Sequence, residues 1–279
     1  MKGETIKTIV RERYGKLANE NRSCCGPVES CCGSTDRAQD IGKAIGYSEE
    51  DLKGVPEGAN LGLGCGNPVA LATLREGETV LDLGSGAGFD CFLAAKRVGE
   101  KGRVIGVDMT AEMIEKAREN AKKDNYQNVE FRLGEIEHLP VADNSVDVVI
   151  SNCVVNLSPD KREVFQEAFR ALKPGGRLMI SDIVLLEELP ESIKDSVEAY
   201  VECIAGAIRR DEYLQAMEAA GFQNVKIMDE TSFPIESMTN DPVAKSIIED
   251  LNVPPGTVKQ VLSSVISIKV YAAKPNEAG

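Results

Sequence analysis

Between Glu78 and Ile183, short apolar runs alternate with longer stretches in which apolar positions recur every three or four residues. Thr79–Leu83, Arg103–Asp108, Val129–Leu133, Val146–Ile150 and Arg177–Ile183 read as strands. The stretch after Gly88 to about Val98, Ala111–Lys123 and Asp160–Leu172 read as helices, the last stopped by Pro174-Gly175-Gly176. Near-continuous apolar strands alternating with helices predict an α/β fold, a mostly parallel sheet with helices on both faces. Its crossovers are expected to be right-handed.

The flanks follow other patterns. Ile6, Ile9, Val10, Tyr14 and Leu17 mark a short helix, followed by a polar loop in which Cys24, Cys25, Cys31 and Cys32 form two adjacent pairs among Gly26, Pro27 and Gly33. A second turn-rich segment runs from Leu61 to Pro68. Beyond Leu185, Ile193–Ile208 and Arg210–Ala220 look helical, with Gly221 as a stop, and Asn224–Met228 and Ser267–Ala272 look like strands. Phe233–Thr257, with Pro234, Pro242, Pro254 and Pro255, reads as a helix framed by loops. The expected division is 1–40 (helix and Cys-rich loop), 41–184 (cofactor-binding domain) and 185–279 (a smaller mixed C-terminal part completing the sheet).

With 279 residues, 42% of them hydrophobic, the chain can bury a sizeable core, which excludes global disorder. Acidic residues outnumber basic ones 45 to 32, and 15 to 6 between Leu185 and Gln260. A nucleic-acid binder needs a basic face to replace phosphate counterions, so that class is excluded. No apolar run approaches the roughly 20 residues of a membrane span, and the N-terminus lacks a signal-peptide core, so a cytoplasmic protein is expected. Eight cysteines in that setting point to reduced, metal-binding or catalytic thiols. A single histidine, His138, excludes chemistry built on histidine pairs; it falls in a loop after a strand, where a surface role is expected.

Gly84-x-Gly86-x-Gly88 lies between a strand and a helix, and Asp108 ends the next strand. Glycines there permit a tight turn and let backbone N–H groups approach a ligand, while an acid at that strand end can accept from both ribose hydroxyls. The alternative is a turn that only packs a helix on a strand. Phe89 stands where a dinucleotide fingerprint has its third glycine. Leu81-Asp82-Leu83-Gly84 instead resembles the first motif of the S-adenosylmethionine-dependent methyltransferases, as does Leu133-Gly134-Glu135-Ile136-Glu137-His138-Leu139-Pro140 farther on. The resemblance implies a Rossmann-like class I fold. It implies that Asp82, Gly84, Ser85, Gly86 and Gly88 hold the amino-acid end of the cofactor and Asp108 the ribose. Met109 would lie against adenine and Glu135 near its amino group, with Ile136 and Asn152 in the same set.

Cys153 follows the fourth strand in Ser151-Asn152-Cys153, beyond the carboxyl ends of the strands where ligands bind in open α/β sheets; an inert buried thiol is the alternative. Cys65 sits in the loop Gly64-Cys65-Gly66, and Cys203 in an expected helix beyond the fifth strand. Cys91, at the apolar start of a helix, reads as core packing. Gly64-Cys65-Gly66, Ser151-Asn152-Cys153-Val154-Val155-Asn156 and Glu202-Cys203-Ile204-Ala205-Gly206-Ala207 together resemble the arsenite methyltransferases. Leu81 to Cys91, Val98 to Gly102, Gly106 to Thr110 and Ser181-Asp182-Ile183 are similar to that family as well, so that the likeness covers roughly residues 5 to 230.

That resemblance implies an arsenic detoxification enzyme with arsenic at Cys65, Cys153 and Cys203, arsenite or its thiol conjugates as substrate, and S-adenosylmethionine as methyl donor. Soft thiolates suit a soft centre. A relay thiol from the N-terminal pairs, Cys32 being nearest the folded domain, would help reduce the product. The disulfide so formed would be reopened by thioredoxin or a glutathione-like thiol. A four-cysteine zinc site is a weaker match, because the pairs lack the usual C-x2–4-C spacing. The rival readings are a C- or O-methyltransferase of a small organic acceptor and a non-enzymatic arsenic-binding thiol protein.

Overall fold

The computed structural model describes residues 3–20, 34–68, 73–189, 205–232 and 263–276. Its elements are α1 (Gly3–Glu20), α2 (Ser34–Ala44), α3 (Glu49–Lys53), β1 (Thr79–Leu83), α4 (Phe89–Val98), β2 (Arg103–Asp108), α5 (Ala111–Lys123), β3 (Val129–Leu133), β4 (Val146–Asn152), a short 3-10 turn (Val155–Leu157), α6 (Lys161–Ala171), β5 (Leu172–Leu185), α7 (Arg210–Ala219), β6 (Gln223–Ser232) and β7 (Val265–Ala273).

Seven strands form one sheet in the order β3-β2-β1-β4-β5-β7-β6. The first five are parallel, and β7 runs antiparallel between β5 and β6. This is the expected Rossmann-like α/β fold. The direction of winding reverses between β1 and β4, and a crevice forms at such a switch point beyond the carboxyl ends of the strands.

The parallel strands are buried on both faces, and their alternation assigns each residue to a side. Leu81, Leu83, Ile105 and Val107 pack on the face carrying Val164, Phe165 and Ala168 of α6 with Tyr213 and Met217 of α7. Val80, Val104, Val148 and Ile150 pack on the other, against Cys91, Phe92 and Ala95 of α4 and Ile114 and Ala117 of α5.

Two boundaries differ from expectation. Pro174-Gly175-Gly176 lies inside β5, which begins at Leu172, directly after α6. The segment breaks the helix and still finds partners, because the Gly175 N–H donates to the Lys274 carbonyl at 3.1 Å and the Lys274 N–H to that of Gly176 at 2.9 Å. β6 reaches Ser232, four residues past its expected end, because it pairs with β7 as far as Ile266. The helix expected over Ile193–Ile208 falls mostly outside the described residues, and the Phe233–Thr257 segment entirely so.

Helix α1 lies across the carboxyl ends of the strands. Ile6 and Val10 pack with Cys65, Leu157, Ile183 and Leu185. Lys7 bridges Glu135 at 2.7 Å and Glu137 at 3.3 Å, and Arg11 also pairs with Glu135.

Candidate functional site

The glycine turn follows β1 directly. Gly84, Gly86 and Gly88 have φ of +69°, +51° and +95°, values that L side chains rarely adopt. A Cβ on Gly84 would sit 2.3 Å from Val154, and one on Gly88 2.7 Å from both Phe131 and Phe92. A Cβ on Gly86 would meet nothing within 4 Å, so this residue borders open space. Asp108 pins the turn: its Oδ2 accepts from the Gly86 N–H at 2.9 Å and its Oδ1 from the Thr110 N–H at 2.8 Å. Burial raises its pKa against those two bonds. The Thr110 side chain also bonds to it, so about one of the four acceptor directions of the carboxylate is left. The buried Ser85 Oγ has no hydrogen-bond partner among the described residues. An open glycine, an orphaned hydroxyl and a half-buried acid at the next strand end fit the polar end and the sugar of a nucleoside cofactor.

Other expected cofactor residues are placed less openly. Asp82 is 2% exposed and lies beneath the turn, where the Cys91 thiol donates to it at 3.2 Å. Burial pushes the Asp82 carboxyl well up, and the neighbouring Asp90 adds to the shift. Cys91 is fully buried among α4 and its neighbours, in agreement with a packing role, and burial raises its pKa too. Glu135 faces the cations of α1, and its hydrogen bond from Lys7 holds its carboxyl below the usual range. Ile136 is buried in the core, Met109 is half-buried beside the Cys65 cluster, and His138 is exposed.

The thiol side is built from three elements. Gly64 and Gly66 let the Cys65 loop press onto the sheet: a Cβ on Gly64 would lie 2.8 Å from Asn152, and one on Gly66 1.9 Å from the Ser181 Oγ. The Cys65 carbonyl accepts from Ser267 Oγ at 2.9 Å, which fixes the loop to β7. Cys153 directly follows β4 with φ +58°, an unusual value for a residue with a side chain. Its N–H donates to the Ser181 carbonyl at 2.8 Å. Such backbone costs roughly 1–3 kcal/mol and persists where the surroundings hold it.

The result is a cluster. The sulfurs of Cys65 and Cys153 and a carboxylate oxygen of Asp182 all lie within 4.8 Å of one another. Cys65 and Cys153 are present as thiols. Asp182 is 0% exposed and accepts from Asn156 Nδ2 at 2.9 Å, the Ile183 N–H at 2.9 Å and the Tyr213 hydroxyl at 3.0 Å. Burial pushes its carboxyl up to about 6. Val154, next to Cys153, lies directly over Gly84, so the cluster adjoins the glycine turn.

Asn152 holds the two halves together. Its Oδ1 accepts from the Cys65 N–H at 3.0 Å, and its Nδ2 reaches the Gly66 carbonyl at 2.8 Å, the Tyr47 hydroxyl at 2.9 Å and Asp90 at 3.1 Å. Tyr47 in turn donates to Asp90 at 2.7 Å. Sequence reasoning gave no role to Asp182, Tyr47 or Asp90. For Asp182 the available signal was a charged residue inside the otherwise apolar end of β5; Tyr47, before α3, and Asp90, in α4, carried none. Cys203, Cys24, Cys25, Cys31 and Cys32 lie outside the described residues.

A methyltransferase-domain family profile matches residues 74–221. The chain is similar to an arsenite methyltransferase of Halobacterium salinarum, with 52% identity over 80% of this chain and 59% of that protein. It is 40% identical to one of Aquipseudomonas alcaligenes over 85% of this chain and 67% of that protein. Among solved structures, an arsenic(III) S-adenosylmethionine methyltransferase from Chlamydomonas reinhardtii superposes with a TM-score of 0.63 at 32% identity, over 85% of this chain and 74% of that one. The chain thus spans about three fifths to two thirds of the length of these two curated relatives. No helix among the described residues is long and apolar enough to cross a membrane.

Proposed function

The chain belongs to the arsenite methyltransferase family, and from that premise we propose that it transfers a methyl group from S-adenosylmethionine to trivalent arsenic held by cysteine thiolates. The observation that carries the reading is the meeting of Cys65 and Cys153 beside the glycine turn. Bound at that turn, the cofactor supplies a methyl group activated on a sulfonium. Asp108 holds the ribose, and the turn residues from Gly84 to Gly88 receive the amino-acid end.

On the acceptor side Cys65 and Cys153, joined by Cys203, bind arsenic through sulfur and leave its lone pair to attack the methyl carbon. Arsenic bound only by sulfur has no proton to lose, so this step requires no general base. The arsenic–carbon bond forms as the carbon–sulfur bond breaks, and arsenic passes formally from the trivalent to the pentavalent state. Two cysteine thiols return the two electrons as they close a disulfide. Cys32 is the proposed relay thiol, and thioredoxin or a glutathione-like thiol reopens the bond. The protein's own contribution is to position the reactants and keep water out. A cytoplasmic setting suits these reduced thiols.

Incubation of the full chain with arsenite, S-adenosylmethionine and a thiol reductant, followed by separation of arsenic species, tests the proposal. Methylated arsenic is expected. Arsenite bound without turnover returns the thiol-binding protein, and absence of both returns the organic-acceptor methyltransferase.

A further inference from the structure

We propose that helix α1 is part of the acceptor site and that Lys7 positions it against the two thiols, an inference that rests on Cys65 and Cys153 being the arsenic ligands. One row of α1 is apolar. Its Ile6 and Val10 belong to the cluster that buries Cys65, and Cys153 and Val154 pack against the same cluster. Apolar burial is non-directional, so this row draws the helix to the sulfurs without fixing its register. Lys7 and Arg11 form the neighbouring row, one residue on from Ile6 and Val10.

The contacts of Lys7 are directional. Its side chain is 10% exposed and that of Glu137 6%, so their ion pair lies in the interior. The Lys7 Nζ is 2.7 Å from Glu135 and 3.3 Å from Glu137. Glu137 also accepts from the Ser158 hydroxyl at 2.7 Å. Ser158 closes the 3-10 turn that follows Cys153 and Val154: its N–H donates to the Val155 carbonyl at 3.1 Å, and the Leu157 N–H to that of Val154 at 2.9 Å. Lys7, Glu137 and Ser158 thus join α1 to the segment of Cys153, while Ile6 and Val10 join it to that of Cys65. A buried ammonium between two carboxylates tolerates little displacement, because an ion drawn off its partner stays desolvated and unpaired. Glu135 has Arg11 as a second cation, whereas among the described residues Glu137 pairs with Lys7 alone. Lys7 is therefore the residue that sets the register of α1 over both sulfurs.

The test follows the thiols one by one. Wild type, Lys7→Met and Lys7→Arg are alkylated with iodoacetamide, with and without arsenite, and Cys65, Cys153 and Cys91 are read separately by peptide mass spectrometry. Methionine keeps most of the lysine stem and its packing but carries no charge. Alkylation of a covered thiol follows the fraction of molecules in which its cover is open. In Lys7→Met, alkylation of Cys65 is expected to quicken at least about tenfold, a modest share of what an orphaned buried charge costs. The arsenite concentration that protects Cys65 and Cys153 is expected to rise by a similar factor. Cys91, fully buried beside α1's opposite numbers in α4, is expected to react as in wild type, and Lys7→Arg, which restores the charge, to recover most of the protection. A general loss of stability would quicken Cys91 together with Cys65. Equal acceleration of Cys91, an unchanged Cys65, or a Lys7→Arg as reactive as Lys7→Met overturns the proposal. Arsenite that protects neither thiol in wild type overturns the arsenic reading itself, a separate outcome. Should Lys7→Met not fold, Lys7→Met/Glu137→Gln, which leaves no unpaired ion at this contact, takes its place. Faster Cys65 with unchanged Cys91 supports the proposal there, and wild-type reactivity of Cys65 overturns it.

Discussion

The side chain of Asn152 carries the backbone of Cys65: its Oδ1 accepts from the Cys65 N–H at 3.0 Å, across 87 residues of sequence. A residue at the end of β4 thereby sets, together with Ser267 of β7, the height of the Cys65 loop above the sheet.

Replacing Asn152 by alanine removes that acceptor and strips Asp90 and Tyr47 of a shared partner. Leaving such buried groups unsatisfied costs on the order of 1–3 kcal/mol. The expected result is a loss of stability of that size and a fall in arsenite affinity of at least tenfold, with S-adenosylmethionine affinity much less affected. Calorimetric titration of both ligands checks it. A larger loss for the cofactor returns Asn152 to the cofactor set in which its sequence position places it.

Asp108→Ala is expected to act in the opposite sense. The acid touches the turn and the start of α5 and does not belong to the thiol cluster. Losing its charge-assisted bonds is expected to weaken S-adenosylmethionine binding by roughly 1.5–3 kcal/mol and leave arsenite binding near wild type. The same calorimetry decides, and an unchanged cofactor affinity removes the ribose assignment.

Asp90 makes stability depend on pH. Burial pushes its carboxyl up to about 6, against the hydrogen bonds from Tyr47 and Asn152. The folded protein thus holds this proton more tightly than the unfolded chain, whose carboxyl titrates near 4. The contribution is fully present below about pH 4 and is lost as pH rises toward 6. Relative to Asp90→Asn, wild type is expected to lose roughly 3 kcal/mol across that window. Urea unfolding of both proteins at several pH values measures the difference. A difference that stays flat, or moves in favour of wild type, contradicts the assignment.

Local periodicity made much of the fold legible. The apolar spacing of Ala111–Lys123 and the β-branched run of β2 coincide with the observed elements, because short-range pattern and burial agree there. The start of β5 was hidden, because Pro174-Gly175-Gly176 is a breaker by every local rule and is paired by Lys274 from the far end of the chain. The same division runs through the site. Gly84, Gly86, Gly88 and Asp108 follow a chain-local motif, and Cys65 and Cys153 stood out as thiols in unusual settings. Ser181-Asp182-Ile183 is similar to the family, but no local pattern gives Asp182 a role of its own. Its importance comes from the sulfurs that face it, and one of these arrives on a loop more than a hundred residues earlier.

Methylation of arsenite by Cys153→Ser, read beside wild type with arsenic species separated after incubation with S-adenosylmethionine and a thiol reductant, tests the central claim most directly. Serine nearly preserves the shape of cysteine, but its hydroxyl is a hard ligand that cannot replace a thiolate on a soft centre. Small misplacements of a reacting atom can cost about 10²-fold in rate. Wild type is predicted to yield methylated arsenic, and the variant at least about a hundredfold less, while it still binds S-adenosylmethionine normally. Methylation by Cys153→Ser at the wild-type rate would contradict a thiolate-held arsenic as the acceptor.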